Sequence, residues 1–263
     1  MTFPATARQL VLSALEFDVL VEHLELETMP LVLKVPSPGR THTERAELVD
    51  SAWRSLHGRG LGRPTDVDAD LERMLRLLAH PDREVDGRLW LDRSVRVLAA
   101  AKGDEAVLVV KDGDQLTFRS ASASGLPREA ISVLPALPPG PGRSVSLRSS
   151  DLDAAAEEAG NNVEQLTSAL QRRGLRPDDA EALTGMVSGV GARGQFGAAA
   201  RDRFGRRVRA DRVVGFFDTT HGRYAQLRRE SPSGDVWSTI APVDARRLTA
   251  HLEELLTEAT TDR

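Results

Sequence analysis

The tripeptide Arg-Gly-Leu occurs twice in the chain, at residues 59–61 and 173–175. Each copy ends a segment whose apolar residues recur at helical spacing, and each is followed by a proline and an acidic helix start. The apolar positions are Leu48, Val49, Ala52, Trp53 and Leu56 before the first copy, and Val163, Leu166 and Leu170 before the second. This arrangement predicts a diverged duplication. The two halves of the chain should therefore have similar folds.

The repeated pattern extends on both sides of the tripeptide. Each half is predicted to begin with a short strand and an acidic helix, and to continue into a β-hairpin and a closing helix. The strands are predicted at residues 9–13 and 144–147, the acidic helices at 15–24 and 151–159, the hairpins at 107–118 and 213–227, and the closing helices at 126–134 and 243–256. In this comparison of the two halves, the hairpin at 107–118 is predicted to be the counterpart of the hairpin at 213–227.

A connector rich in proline and glycine separates the two halves. It spans residues 138–143, and its composition is typical of stiff links between units. We predict an N-terminal half at residues 1–137 and a C-terminal half at 144–263, which together form one compact domain. The predicted fold class is α+β, with a central antiparallel sheet flanked by helical groups and two halves related by pseudo-two-fold symmetry.

Composition excludes several classes of site. The chain has no cysteine, which excludes disulfides, thiolate metal sites and a cysteine nucleophile. Its net charge of −4 gives no general attraction to nucleic acid or to an anionic membrane surface. The first residues lack the basic start and long apolar stretch of a secretory signal, and no window approaches the ~20 apolar residues needed to cross a bilayer. We therefore expect a soluble cytoplasmic protein without membrane insertion.

Residues 189–194, Gly-Val-Gly-Ala-Arg-Gly, match the G-x-G-x-x-G pattern of dinucleotide-binding turns. That chemistry requires a strand before the glycines and a helix after them, so that the amides of the helix N-terminus meet the pyrophosphate. Here the sequence predicts the reverse order, with an amphipathic helix before the glycines and a strand after them. We interpret the segment as a glycine loop and predict no nucleotide cofactor.

The residues offer no evident catalytic or metal-binding pattern. The six histidines are scattered, without the pairs that a helical zinc site needs, at His23, His42, His57, His80, His221 and His251. No G-x-S-x-G elbow occurs, and the acidic pairs Asp151/Asp153 and Asp178/Asp179 stand at helix starts, where capping accounts for them. We predict a protein that is not an enzyme and has no metal site, with His221 and His251 in contact with solvent.

An arginine-rich stretch in the second half offers an alternative function. Its members are Arg201, Arg203, Arg206, Arg207, Arg209 and Arg212. Such a stretch could follow a phosphate backbone, which would make the chain a nucleic-acid-associated protein. Against this, the single aromatic residue among them, Phe204, gives little surface for base stacking. The alternation at residues 207–209 is also typical of the solvent-facing side of a strand near a sheet edge.

Large apolar residues gather near the glycine loop. They are Val190, Phe196, Phe216, Tyr224 and Trp237. Aromatic residues on a sheet are more often core than interface, but Trp and Tyr dominate binding hot spots when they are exposed. Trp90 also falls in a strand-like segment, whereas Trp53 fits the core face of a helix. We therefore favour the second half as the partner surface.

An ordered set of phrases resembles the EspG family of type VII (ESX) secretion-associated proteins from actinobacteria. In the first half they are LEFDVL at residues 15–20, VPSPG at 35–39 with Thr41, and the tripeptide at 59–61. In the second half they are GQFG at 194–197, Arg203, Gly205 and Arg209, FDT at 217–219, GRY at 222–224 and WSTIAP at 237–242. The resemblance covers essentially the whole chain, in the family's order.

The resemblance implies a fold and a function. Members of the family have a central antiparallel sheet flanked by two helical bundles. They act as cytosolic chaperones that bind the tip of the PPE partner in PE–PPE heterodimers and keep the pair soluble before export. The client implied here is such a heterodimer or a PPE-like or WXG-type helical hairpin protein. The resemblance implies neither a cofactor nor bond chemistry. Charge-rich strand segments at a sheet edge could pair between subunits, so a homodimer stays open.

The resemblance also implies a partner-binding pocket between the sheet and the C-terminal helical bundle. Apolar anchors of the client would enter it, and polar contacts at its rim would select the partner. The residues expected to line it are Met186, Val187, Val190, Phe196, Phe216, Tyr224, Trp237, Leu248 and Leu252. The loop at residues 88–93 is a further candidate for partner contact.

Overall fold

The computed structural model describes residues 8–160 and 162–261, which fall into two compact units. The first unit comprises the described part of Met1–Arg88, with Arg93–Ala130 and Ala199–Val208. The second comprises Leu89–Asp92, Ile131–Ala198 and the described part of Arg209–Arg263. Both contain helices and antiparallel strands, and the fold has a large antiparallel sheet, so the predicted α+β class is confirmed. Within the described ranges, no helix is long and apolar enough to cross a membrane.

The N-terminal half runs from a strand through helices into a meander of strands. Its elements are β1 (Gln9–Ser13), α1 (Ala14–His23), a 3-10 helix (Leu31–Leu33), α2 (His42–Gly58), β2 (Gly62–Arg63), β3 (Asp66–Val67), α3 (Ala69–Ala79), β4 (Arg83–Trp90), β5 (Ser94–Lys102), β6 (Glu105–Asp112), β7 (Gln115–Ser120), a second 3-10 helix (Ala123–Gly125) and α4 (Leu126–Ile131). The strand order in the sheet of this half is β1-β7-β6-β5-β4, while β2 and β3 form a separate ribbon.

Helices α1, α2 and α3 each begin after a residue whose side chain caps the helix. The Ser13 and Thr41 side chains each accept a hydrogen bond from the backbone N–H three residues later, and the carboxylates of Glu16 and Glu44 bond back to the cap. Asp68 caps α3 by accepting a backbone N–H bond at 3.0 Å. Each cap satisfies N–H groups that have no partner inside the helix.

The core of the first unit lies between the inward faces of its helices and its sheet. Fully buried members include Leu12, Leu20, Leu75 and Phe118. Trp53 is buried on α2, on the face that the helical spacing predicts. Burying one large apolar side chain stabilises a fold by about 1.5–3 kcal/mol, so this cluster outweighs the contribution of any single cap.

The C-terminal half repeats the order of elements. Its elements are β8 (Val145–Arg148), α5 (Ser149–Ala159), α6 (Val163–Arg172), α7 (Pro177–Val187), β9 (Arg193–Arg201), β10 (Arg207–Arg209), β11 (Val214–Thr219), β12 (Gly222–Glu230), β13 (Val236–Pro242) and α8 (Ala245–Thr260). Its strand order, β8-β13-β12-β11-β9, matches that of the first half strand for strand, and β10 is an addition paired with β9. The duplication is therefore visible in the topology. The pseudo-two-fold relation and the domain boundaries at 138–143 stay predictions.

The matching of individual hairpins corrects the prediction. β12 and β13 occupy the positions that β6 and β7 hold in the first half, so the hairpin at residues 107–118 corresponds to β12–β13. The hairpin predicted as its counterpart, at 213–227, is β11–β12 and corresponds to β5–β6. Tight turns in a meander share the same polar and glycine signals. The sequence of a turn therefore does not show which two strands of the sheet it connects.

Buried aromatic residues lie on both faces of the sheet in the second unit. Phe217 and Tyr224 belong to the cluster that packs against α5–α7, and their ring centroids are 5.3 Å apart. Phe216 points to the opposite face because side chains alternate along a strand. Its ring stacks on Phe196 at a centroid distance of 5.8 Å. Helix α8 packs beside β11 and buries a row of leucines.

The proline-rich connector is held against β12 by hydrogen bonds. The Arg223 backbone N–H donates to the Pro138 carbonyl at 2.9 Å, and the Gly140 N–H donates to the Arg223 carbonyl at 3.2 Å. The Tyr224 hydroxyl donates to the Pro141 carbonyl at 3.0 Å. These bonds order the connector as part of the second unit.

Candidate partner-binding surface

The glycine loop joins α7 to β9. Gly189 has a φ of +69°, which glycine adopts readily. The Gly191 N–H donates to the Asp218 carbonyl at 2.9 Å, and the Asp218 N–H donates to the Ala192 carbonyl at 2.8 Å. The predicted order of helix, loop and strand is confirmed, and it is the reverse of the order that a dinucleotide-binding turn requires.

Most of the nine residues expected to line a pocket are core residues. Six are buried: Met186, Phe196, Phe216, Tyr224, Leu248 and Leu252. They also do not share one cavity, because Met186 and Tyr224 pack on the α5–α7 face whereas Phe196 and Phe216 stack on the other. Val187 is partly buried against the α5–α7 cluster. A partner could reach the six buried side chains only by opening the core.

The other two expected residues, Val190 and Trp237, are exposed. Val190 lies in the glycine loop, and Trp237 on β13 has 40% of its surface exposed. Trp90, at the end of β4, is exposed to 46%. Exposed tryptophans are unusual on a protein surface that meets only water, and they are enriched at binding hot spots. Trp90 and Trp237 therefore mark two candidate contact areas in the second unit.

The first area, which we call the Trp90 patch, consists of Trp90 and Arg193, together with the exposed Val190 of the glycine loop that leads into Arg193. The Arg193 guanidinium lies 6.0 Å from the centroid of the Trp90 ring, within the range of a cation–π contact. Arg193 also donates to the Gly191 carbonyl at 3.3 Å, so the loop and the guanidinium position each other. An apolar ring beside a fixed cation can accept an apolar anchor and a neighbouring carboxylate.

The second area, around Trp237, lies on the other face of the sheet. Trp237 is directly opposite Arg148 on β8 and Arg229 on β12. Arg229 pairs with Glu254 of α8 at 2.5 Å, which places Trp237 on the α8 face. Arg193 is opposite Phe217 and therefore belongs to the α5–α7 face. The two tryptophans thus offer separate surfaces.

The arginine-rich stretch is largely engaged by groups of the chain itself. Arg206 contacts Asp202 at 2.9 Å, Arg207 donates through Nε to Glu84 at 2.7 Å, and Arg212 contacts Glu258 at 2.6 Å. Arg201 donates to two backbone carbonyls, of Pro81 and Gly205. The carboxylates neutralise the charges of Arg206, Arg207 and Arg212, which a phosphate backbone would need, while the bonds of Arg201 to carbonyls fix its position.

The environment of His251 on α8 differs from the prediction that it is solvated. Its side chain is three-quarters buried, and Nδ1 lies 3.9 Å from the Glu254 carboxylate. Burial lowers the pKa of His251, the charges of Arg229 and Arg212 lower it further, and Glu254 acts in the opposite direction. His221, in contrast, lies exposed in a turn. Among the described residues, no three His, Asp or Glu side chains form a group that could hold a metal ion.

A sequence model of the EspG family matches residues 13–254 of the chain. The chain belongs to the EspG family. This EspG-family protein is 28% identical to the ESX-1 secretion-associated protein EspG1 of Mycobacterium marinum over 250 residues, which cover 90% of this chain and 84% of the relative. It is 26% identical to EspG1 of Mycobacterium tuberculosis over 251 residues, which cover 90% and 83%.

The fold of this EspG-family protein is also that of a solved relative. The structure of the Mycobacterium tuberculosis type VII secretion system chaperone EspG5, in complex with the PE25–PPE41 dimer, matches it with a TM-score of 0.74. The match covers 97% of each chain at 17% sequence identity. The likeness shows that the fold persists although most side chains differ.

Sequence reasoning missed the contact between Trp90 and Arg193 in this EspG-family protein. The loop at 88–93 was expected to contact a partner, but Arg193 was interpreted only as part of the glycine loop. The two residues are far apart in sequence, so no local pattern links them. The sequence offered two signals for this contact. They are an aromatic residue at the end of one strand and a cation at the start of another.

Proposed function

We propose that this protein is a type VII secretion chaperone that binds a PE–PPE-like helical heterodimer and keeps it soluble until export. The observation that carries the proposal is the fold shared with EspG5, a chaperone whose structure was solved with its PE25–PPE41 client. The EspG family match over residues 13–254 and the two EspG1 relatives support it. A PPE-like or WXG-type helical hairpin protein is the corresponding client if no PE–PPE pair is present.

The Trp90 patch is the surface that we propose for the tip of the client. An apolar client residue would pack on the Trp90 ring and Val190, and an acidic or carbonyl group would meet the Arg193 guanidinium. Such a combination of a buried aromatic anchor and a polar rim is how many interfaces obtain both affinity and selectivity. Of the six buried residues that the sequence placed in a pocket, Met186 and Tyr224 lie on the same face of the sheet as Arg193 and would support this surface from within the core.

Binding of this kind needs no catalytic group and no cofactor, because shielding an apolar tip breaks no bond. We therefore infer a non-enzymatic role. The role also implies a place, since a client must be covered after synthesis and before export. We infer that the protein acts in the cytosol. Its affinity should be finite so that the client can be released.

Co-expression with a PE–PPE heterodimer, such as the PE25–PPE41 dimer of the EspG5 complex, tests the proposal. Size-exclusion chromatography with light scattering should show one chaperone bound to one substrate heterodimer. Trp90→Ala should weaken the complex by about 30-fold, the typical loss at a hot-spot residue. Trp237→Ala is the matched control, since it removes an equally large exposed ring from the other face.

Two outcomes would count against the proposal in different ways. If the substrate pair stays soluble alone and never co-elutes with the protein, the chaperone function is wrong for that client. If the complex forms but Trp90→Ala leaves it unchanged and Trp237→Ala disrupts it, the function holds and the surface is misplaced.

A further inference from the structure

The glycine loop is held at Gly191 by two hydrogen bonds. The Gly191 N–H donates to the Asp218 carbonyl at 2.9 Å, and the Gly191 carbonyl accepts from the Arg193 guanidinium at 3.3 Å. The adjacent Ala192 carbonyl accepts from the Asp218 N–H at 2.8 Å. The loop is therefore attached to β11 at Asp218, and the guanidinium of the Trp90 patch is attached to the loop.

Asp218 is in turn fixed by Arg223 of β12. The two residues are directly opposite each other in the β11–β12 pair. Arg223 Nε and Nη2 donate to the two carboxylate oxygens at 2.7 and 2.8 Å, and both side chains are more than nine-tenths buried. Two parallel bonds to one carboxylate allow one geometry, so this pair defines how the ends of the two strands meet.

Arg223 is also held by the connector and by the chain that enters it. The Pro138 carbonyl accepts from the Arg223 N–H, and the Pro135 carbonyl accepts from Nη2, each at 2.9 Å. A continuous series of contacts therefore leads from the connector to the Trp90 patch. In order, its members are Pro138, Arg223, Asp218, Gly191, Arg193 and Trp90.

The buried pair contributes a fixed geometry more than stability. Apolar residues of similar volume often stabilise a protein interior as well as a buried ion pair does, or better. A loop that is already fixed, however, loses less conformational entropy when a partner binds, which increases affinity without added contact area. The directional bonds between Asp218 and Arg223 supply such a fixed position where the glycine loop joins β11.

We propose that Arg223 and Asp218 are positioning residues for the Trp90 patch and hold it in the conformation that binds the client. The two side chains are buried and act through Gly191, whose carbonyl orients the Arg193 guanidinium beside the Trp90 ring. The inference rests on the proposed client-binding function. It adds to that function a coupling between the connector and the binding surface.

Hydrogen exchange in the free protein, followed by nuclear magnetic resonance, tests the positioning without a client. The double variant Arg223→Met/Asp218→Leu removes both charges and should recover much of the stability that a single variant loses. Exchange of the Gly191 amide should nevertheless be at least about tenfold faster than in wild type, because its acceptor is no longer held. Amides of β6, in the first unit, serve as the internal reference and should exchange as in wild type.

Binding of the PE25–PPE41 dimer measures the consequence for client capture. The double variant should bind the dimer about tenfold more weakly than wild type. Val109→Ala is the control for stability, since it truncates a fully buried residue in the core of the first unit. It should lose stability and still bind the dimer as wild type does.

Two substitutions at Gly191 test the attachment of the loop without changing the core. Gly191 is exposed and has no positive φ, and a Cβ there would lie 3.7 Å from the Asp218 carbonyl oxygen, an ordinary contact. Gly191→Ala keeps the N–H that Asp218 accepts, whereas Gly191→Pro removes it. The proline variant should bind the dimer at least about tenfold more weakly than the alanine variant.

The outcomes separate this inference from the proposed function. Unchanged exchange of the Gly191 amide in the double variant would overturn the inference, as would equal binding of the dimer by the double variant and wild type. Equal binding by the two Gly191 variants would also contradict it. If wild type itself does not bind the dimer, the proposed function fails for that client, and hydrogen exchange alone decides whether the pair positions the loop.

Discussion

Arg223 and Asp218 form a two-pronged ion pair in the interior of the second unit. Arg223 Nε lies 2.7 Å from Asp218 Oδ1, and Nη2 lies 2.8 Å from Oδ2. The two side chains are only 1% and 6% exposed. Nη2 also donates to the Pro135 carbonyl at 2.9 Å, so the same guanidinium joins the β11–β12 hairpin to the chain that enters the connector. This pair therefore positions the connector as well as the strands.

Removing one partner of this pair should be strongly destabilising. Arg223→Met leaves the Asp218 carboxylate buried without its cation, and breaking a buried pair in this way costs about 3–5 kcal/mol. The double variant Arg223→Met/Asp218→Leu removes both charges and should recover much of that loss. Urea unfolding measures the free energies. A single variant as stable as wild type would mean that water reaches Asp218.

Gly140 is required because its neighbour leaves no room for a side chain. A Cβ at this position would lie 2.1 Å from the Tyr224 hydroxyl oxygen and from its Cζ. Gly140→Ala should therefore displace the ring, break its bond to the Pro141 carbonyl and cost about 1–3 kcal/mol, as overpacking typically does.

The matched control for Gly140 is Gly185 on α7. No atom lies within 4 Å of a Cβ built there, and the residue is inside a helix. Gly185→Ala should stabilise the protein by up to about 1 kcal/mol, since alanine is the better helix former. If thermal unfolding shows that Gly140→Ala destabilises the protein while Gly185→Ala stabilises it, the loss of stability at Gly140 is due to the clash. A neutral Gly140→Ala would contradict it.

His251 should make the protein less stable in mildly acidic solution. Its pKa in the folded state is lowered below the ordinary 6.5, so the unfolded chain binds a proton first as the pH falls. The free energy of unfolding should therefore decrease from about pH 6.5 downwards, until folded His251 is protonated as well. His251→Gln should remove this decrease. Urea midpoints on either side of pH 6.5 measure it, and an unchanged slope in the variant would refute the assignment.

The acidic side chain of Glu16 titrates in a separate and lower range. Burial raises its pKa, but hydrogen bonds from Ser13, Ser55 and Arg59 outweigh this and lower it below 4.5. Its contribution to stability is present above the ordinary pKa and is lost as the pH falls through the lowered one. The His251 and Glu16 effects can therefore be separated by pH alone.

Local signals predicted much of the fold. The strand predicted at residues 9–13 is β1, and the acidic helix predicted at 15–24 is α1, at Ala14–His23. The duplicated tripeptide led to the repeated order of elements that the topology displays. The predicted correspondence between the two hairpins was wrong. Which strands are neighbours depends on hydrogen-bond pairing across the sheet, and the residues of a turn do not reveal that pairing.

The site was less predictable than the fold. Phe196, Phe216 and Tyr224 are apolar and close to the glycine loop, but sequence cannot distinguish a buried aromatic residue from an exposed one on the same strand. Burial depends on whether a helix covers that face. Trp90 and Trp237 are exposed because each lies near the end of a strand, a position that pattern alone leaves ambiguous.

A comparison of Phe216→Asp with Trp90→Asp separates core from surface. Phe216 is 2% exposed, and the cation beside its ring, Arg223, already pairs with Asp218. A carboxylate there would be buried without a partner, and even Phe→Ala in a core costs about 3–5 kcal/mol. Phe216→Asp should therefore unfold the protein or destabilise it by at least that amount. Trp90→Asp should stay folded and lose the client, because it places an unpaired charge where an apolar anchor is expected to pack. Circular dichroism in urea and co-elution with the substrate pair measure the two effects. A stable Phe216→Asp variant that fails only in binding would return the partner surface to the pocket that the sequence suggested.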